Sequence, residues 1–198
     1  MKKVGVIGCG VVLLLALILG ATALSSYNRL VNLDEGVKSS WSQVQNAYQR
    51  RADLIPNLVR TVQGAANFER ETLKEVIEAR ARASSIQLTP EALSDPAAMA
   101  RFQQAQEALG GALGRLLVTV EQYPQLKSNQ NFMQLQDELA GTENRIAVER
   151  KRYNDAAQEY NTARRKFPVV LLASLMGFKE KAYFQATAGA EKPPEVRF

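Results

Sequence analysis

A chain of 198 residues with 46% apolar content is long enough for one domain with a proper core. Its net charge of +5 includes Lys2 and Lys3, and the remaining charges are mixed in sign, too weak a field for nucleic acid as a partner. With no His and a single Cys, Cys9, the sequence excludes His-based acid/base work, Ser-His and Cys-His nucleophiles and every Cys/His zinc pattern. No catalytic residue, cofactor or metal is expected.

Residues 4–24 carry no charged side chain, and as a helix they would run about 32 Å, enough to cross a hydrocarbon core. Residues 1–24 are therefore read as a transmembrane anchor in contact with the lipid bilayer. A cleavable signal peptide ending at Ala21-Thr22-Ala23 is the competing reading, weakened because helical periodicity resumes at Tyr27 without a Gly or Pro linker. Lys2 and Lys3 outweigh Arg29 and favour an N-terminus inside, so both readings export the domain. "VIGC" at residues 6–9 has the letters of a lipid-attachment box, but its apolar run follows the Cys instead of preceding it.

From Tyr27 apolar residues recur every three or four positions, through Leu30, Val37, Trp41, Val44, Tyr48, Ile55, Leu58 and Val62 to Ala65. The phase is unchanged across Pro56, which predicts one helix with a kink over 27–63. Gly64 suits a left-handed cap, and Asn67 with Glu69 and Glu71 suits the start of a second helix over 68–84. "SIQLTPEALSDP" reads as the main loop. Asp95-Pro96 then opens a third helix, with Phe102, Ala105, Leu109, Ala112 and Leu116 on its seam, ending at Tyr123-Pro124. The fourth, over 129–166, carries Phe132, Leu135, Leu139, Thr142, Ile146, Glu149, Tyr153, Ala156, Tyr160, Ala163 and Phe167. The fold class is all-α: an antiparallel up-down four-helix bundle over 25–167, with an apolar segment and an extended tail over 168–198.

Matching helix tops places Gly141 level with Gly110, and Glu143 beside Arg50 and Arg51. Glycine inside a helix costs ~1 kcal/mol against alanine, so this level is expected to be a structural polar layer: Gly110 and Gly141 allow close approach of the third and fourth helices while Arg51 pairs with Glu143. A polar binding site is the alternative reading. Glu149 lies on the same seam, but di-metal bundles use Glu-x-x-His pairs and this chain has no His. At the opposite end, up-down topology returns Arg164, Arg165 and Lys166 to the height of Tyr27 and Arg29, a membrane-proximal belt. The apolar residues 169–178 that follow are too few to span a bilayer. They are expected to close the base of the core, with membrane-interface or subunit packing as alternatives.

The stretches "YNRLVNLDEGVKSSWSQVQNAYQRRADLIPNLVRTV", "ETLKEVIEARA", "LQDELAGTENRIAVERKRYNDAAQEYN" and "KAYFQA" resemble the LemA family of bacterial membrane-anchored proteins, from about residue 27 to the C-terminus. The resemblance implies a single N-terminal anchor and a four-helix domain in the bacterial inner membrane, with a cytoplasmic N-terminus and a periplasmic body. It supplies no catalytic residues. Gene neighbourhoods in the family imply a membrane metalloprotease as partner and a role in envelope quality control.

These readings converge on a non-enzymatic, single-pass membrane-anchored scaffold at the cell envelope, with coiled-coil-like helical seams within the bundle and self-association as a homo-oligomer. An extracytoplasmic ligand-sensing or adaptor domain is the alternative. It lacks an output domain, since only residues 1–3 lie beyond the anchor. A hydrolase using Asp34, Glu35, Glu121 or Glu143 ranks below both, because adjacent helical residues such as Asp34 and Glu35 point about 100° apart.

Overall fold

The computed structural model describes residues 2–64 and 68–185. Among these residues all regular structure is helical: α1 (Lys2–Gln63), α2 (Arg70–Ser85), a single 3-10 turn (Glu91–Ser94), α3 (Pro96–Val120), α4 (Pro124–Lys127), α5 (Gln130–Arg165) and α6 (Val169–Leu175). Among the described residues no helix is long and apolar enough to cross a membrane. Most side chains of residues 4–24, on which the anchor is expected, lie outside the described set, as do Ala65, Asn67 and the tail beyond residue 185.

Local chemistry accounts for the helix ends. Asp95 accepts a hydrogen bond from the Ala97 amide at 2.9 Å, with Pro96 in the first turn where its missing N–H is harmless. Asn129 caps α5 by accepting from the amides of Asn131 (2.9 Å) and Phe132 (3.2 Å). Pro56 does not interrupt α1. A proline leaves the carbonyl four residues back without its helical donor, and here that carbonyl, on Ala52, accepts from Arg80 Nε at 2.8 Å. α2 thus repairs the defect in α1. Gly64 does not adopt the left-handed conformation expected of it. That conformation belongs to Gly177 (φ 77°), where the Phe178 amide donates to Ala173 O at 3.0 Å and closes α6 in a Schellman turn.

α1 packs along α5 and α2 along α3. The pairs Trp41 with Tyr153 and Arg51 with Glu143 have the same residue sum, as antiparallel register requires. The core forms two clusters. One contains Ile55, Leu58, Val62, Leu73, Val76, Leu109, Leu116, Phe132 and Leu139; the other contains Leu30, Val37, Trp41, Val44, Tyr48, Met99, Phe102, Ile146, Tyr153, Tyr160, Ala173 and Phe184. Hereafter the first is the upper half and the second, which includes the helix ends near Leu30 and Ala173, the lower half.

Candidate functional site

The boundary between the two core clusters is polar. Arg51 falls between Tyr48 and Ile55 on α1, Gln106 between Phe102 and Leu109 on α3, and Thr142 between Leu139 and Ile146 on α5. The Arg51 guanidinium is only 3% exposed. It donates Nη1 to Glu143 Oε1 at 2.8 Å and Nη2 to Gln106 Oε1 at 2.6 Å and Gln106 O at 3.2 Å, and it lies over the Tyr48 ring. The Gln106 amide in turn donates to Ala83 O at 3.4 Å. One side chain from α1 therefore connects α3 and α5 directly, and α2 through Gln106. Arg51 Nε is buried without a partner, a local cost of placing a guanidinium here.

The glycines do not act as expected. Gly141 faces outward on α5, and a Cβ added there would meet nothing within 4 Å. A Cβ at Gly110 would sit 4.0 Å from Arg51 Nη1, an ordinary contact. Close approach of α3 and α5 through these glycines is thus corrected: α3 packs on α2, α5 packs on α1, and Arg51 reaches across the level between them. Thr142 donates its hydroxyl to Glu138 O within its own helix, at 2.7 Å. Glu149 is buried and accepts from Arg152 Nη1 at 3.0 Å, an ion pair along α5. Among the described residues no cluster of three metal-ligating side chains occurs.

The second constellation was not anticipated from sequence. After Gly177 the chain turns back and climbs the lower half as an extended strap, residues 178–185, antiparallel to α5. With no neighbouring strand, its backbone groups are held mainly by side chains, while the Ala182 amide donates to Leu93 O of the 3-10 turn at 2.8 Å. Asn161, fully buried, donates Nδ2 to Lys181 O and accepts from Lys181 N, both at 2.9 Å. Asn154 grips Phe184 in the same manner, at 3.0 and 2.9 Å, and Gln103 grips Gln185, at 3.0 and 3.1 Å. Tyr160 and Tyr153 donate their hydroxyls to the carbonyls of Lys179 and Ala182, each at 3.0 Å. The spacing explains the fit. Tyr153-Asn154 and Tyr160-Asn161 are two such pairs seven residues apart, about 10.5 Å along a helix, close to the roughly 10 Å between Lys181 and Phe184 in an extended chain.

Side-chain packing reinforces this clamp. Phe184 enters a ring cluster with Trp41 (centroids 6.0 Å), Tyr153 (5.5 Å) and Phe102 (6.4 Å). Burial pushes the Tyr160 hydroxyl up to about 12 and also raises that of Tyr153, so both stay donors beyond the pH at which an exposed tyrosine ionises. Lys181, buried, reaches Asp34 at 2.7 Å, and Lys38 reaches the same carboxylate at 2.9 Å. Burial raises the Asp34 carboxyl, but hydrogen bonds from Lys181 and Lys38 outweigh it and hold the group below its ordinary value. Asp34 is therefore a strap anchor. Its neighbour Glu35 pairs with Lys38 at 2.7 Å.

At the base, Arg29 and Lys166 line one recess with Asp155 and Glu159. Arg165 is exposed, its Nε donating to Asn161 O at 3.4 Å. Arg164 departs from the expected belt: it is half-buried and donates Nε to Phe178 O at 2.7 Å, holding the strap's first turn. α6 closes the base only in part. Ala173 is buried and Val169 packs on the core, whereas Leu171 and Leu175 point away from it. The sequence signal for the strap was present in the repeated Tyr-Asn pair of "YNDAAQEYN", where a polar residue follows each seam tyrosine at heptad spacing.

The LemA family model matches residues 40–198, which include the polar layer and the whole strap. The chain belongs to the LemA family. Magnetosome protein MamQ 2 of Paramagnetospirillum magneticum is 31% identical over 189 residues, covering 87% of this chain and 70% of the relative. MamQ of Magnetospirillum gryphiswaldense is 32% identical over 188 residues, with coverage of 87% and 69%. Protein LemA of Metamycoplasma hominis is 26% identical over 160 residues, with coverage of 81% and 69%. For this LemA family member, the named constellations supply hydrogen-bond closure and ion pairs, all directed at its own backbone and helices.

Proposed function

We propose that this LemA family protein is a non-enzymatic scaffold, anchored in a bacterial cell-envelope membrane by residues 4–24 and presenting its helical body on the extracytoplasmic side. The observation that carries this reading is the continuity of α1. A single helix joins the uncharged N-terminal stretch to the core residues Leu30, Val37 and Trp41, with no linker between them. A rigid joint of this kind suits a protein that holds position relative to a membrane. The polar groups support the same reading, because Arg51, Gln106, Asn154 and Asn161 all serve internal closure. Relatives that bear the names of a magnetosome protein and of the family itself suit a body used in more than one setting. Self-association and capture of a membrane metalloprotease are the activities such a scaffold would perform.

The test uses full-length protein in cells. With Cys9→Ala as background, Ser128→Cys beyond α4 should react with a membrane-impermeant thiol reagent before lysis, and the protein should remain in membranes after a carbonate wash. Labelling only after lysis would overturn the topology, and release into the soluble fraction would overturn the anchor. In-cell crosslinking then separates partners: self-crosslinks support assembly, and a crosslinked protease supports quality control.

A further inference from the structure

α6 presents an apolar face that the protein's own core leaves uncovered. Leu175 is 85% exposed, Leu171 is 62% exposed, and Phe167, just before the helix, is 82% exposed. Leu171 and Leu175 are four residues apart and so form one stripe, while Ala173 holds the opposite side of the helix in the core. Aromatic contact fixes the height of this stripe: Phe178, which follows α6, packs edge-on against Tyr27 of α1 with centroids 5.7 Å apart. Tyr27 lies three residues beyond the uncharged stretch, and α1 itself exposes Leu13, Leu14, Leu17, Ile18 and Leu24 below that point. α6 therefore sits beside α1, just above the exposed apolar flank of that helix.

We infer that α6 is an interfacial membrane helix, lying in the headgroup region beside the anchor with Phe167, Leu171 and Leu175 directed into the acyl boundary. This deepens the anchored reading above and rests on it. Lipid is the occupant because α6 sits beside α1 just above that flank, whose surroundings on the anchored reading are hydrocarbon. The flanking charges agree: Arg29, Arg165, Lys166 and Lys179 are exposed around the base, at the height where phosphates would meet them. Acidic groups lie among them too: Glu180 on the strap, 4.0 Å from Arg164, and Asp155 and Glu159 in the recess that Arg29 and Lys166 line. Two contacts, a spanning helix and an interfacial one, would fix the tilt of the whole body, which a single pivoting helix cannot do.

The full chain carrying Cys9→Ala and Leu175→Cys, labelled with an environment-sensitive fluorophore and reconstituted into phosphatidylcholine/phosphatidylglycerol vesicles, tests the placement. The expected result is blue-shifted emission, quenched by lipids bearing a shallow nitroxide, with neither effect for the label at Ser128→Cys. Water-like, unquenched emission from protein that still floats with the vesicles would overturn the interfacial helix and leave the anchor standing. Blue-shifted emission that nitroxide lipids do not quench would assign the face to a second copy and also overturn the inference. Failure of the unlabelled protein to float would remove the anchored reading itself. Leu171→Cys, one helical turn away, should repeat the result and guards against a local effect of the label.

Discussion

Above the Arg51 level the core is mainly aliphatic and built largely by helices, with Ile55, Leu58, Val76, Leu109 and Leu116 in one cluster and Phe68 and Tyr123 of the connections packed together against it. Below it, Trp41, Tyr48, Phe102, Tyr153 and Tyr160 leave space between helices that a non-helical segment fills with Phe184. The difference follows from side-chain shape. Branched aliphatic residues at helical spacing complete one another across a seam, whereas large rings hold helices apart and their polar atoms require partners. In the lower half the partners are strap carbonyls, so packing and hydrogen bonding there depend on a segment distant in sequence.

The largest test of that contrast is Phe184→Ala. It should cost about 3–5 kcal/mol in urea unfolding and shift the emission of Trp41, the sole tryptophan, to the red as the strap loosens. Leu116→Ala in the upper half should cost about 2–5 kcal/mol without that spectral change. A red shift from Leu116→Ala would mean that the halves are not separable.

Removing one clamp sharpens the comparison further. Asn161→Ala leaves both backbone groups of Lys181 unpaired in a buried site and should destabilise by about 1–3 kcal/mol, with faster proteolysis of the C-terminal segment while the upper half stays folded. At the boundary, Glu143→Leu removes the carboxylate facing a buried guanidinium, so it should cost more than Arg51→Met, which leaves a carboxylate that is 46% exposed and can be solvated. The double variant should fold at least as well as the Glu143 single, checked by a double-mutant cycle in urea.

Acid provides a reversible version of strap loss. Because the folded-state value of Asp34 is depressed, its contribution is present above the ordinary carboxylate range and disappears as pH falls through the lowered folded value. Trp41 emission should therefore shift in the acid range, and Asp34→Asn should flatten that transition. The smallest expected effect belongs to Gly141→Ala, which gains helix propensity in open space and should stabilise by up to ~1 kcal/mol. Destabilisation instead would show that α3 and α5 meet more closely at this level.

The helices were largely legible in the sequence because their determinants are local. Period, the cap at Asp95 and the phase across Pro56 each concern residues a few positions apart. The approximate level of Glu143 and Arg51 followed from antiparallel geometry, while the role assigned to Gly141 did not hold, since residue numbering gives height along a helix pair but not the direction each face takes. The strap was missed for a related reason: "KAYFQ" has no internal periodicity to read, and its conformation is set by Asn154, Asn161 and Gln103 from other helices.

What the sequence by itself determined is therefore the all-helical class, the length and phase of the long helices, and the absence of histidine chemistry, because helix formation and residue inventory depend on near neighbours and composition. Tertiary structure decided which helices pair, how Arg51 connects them at one level, where the C-terminal segment lies, and which face of α6 remains apolar and exposed. Those features depend on contacts between residues tens of positions apart, such as Asp34 with Lys181 and Gln103 with Gln185, and form only when the helices have assembled a surface for the strap to bind.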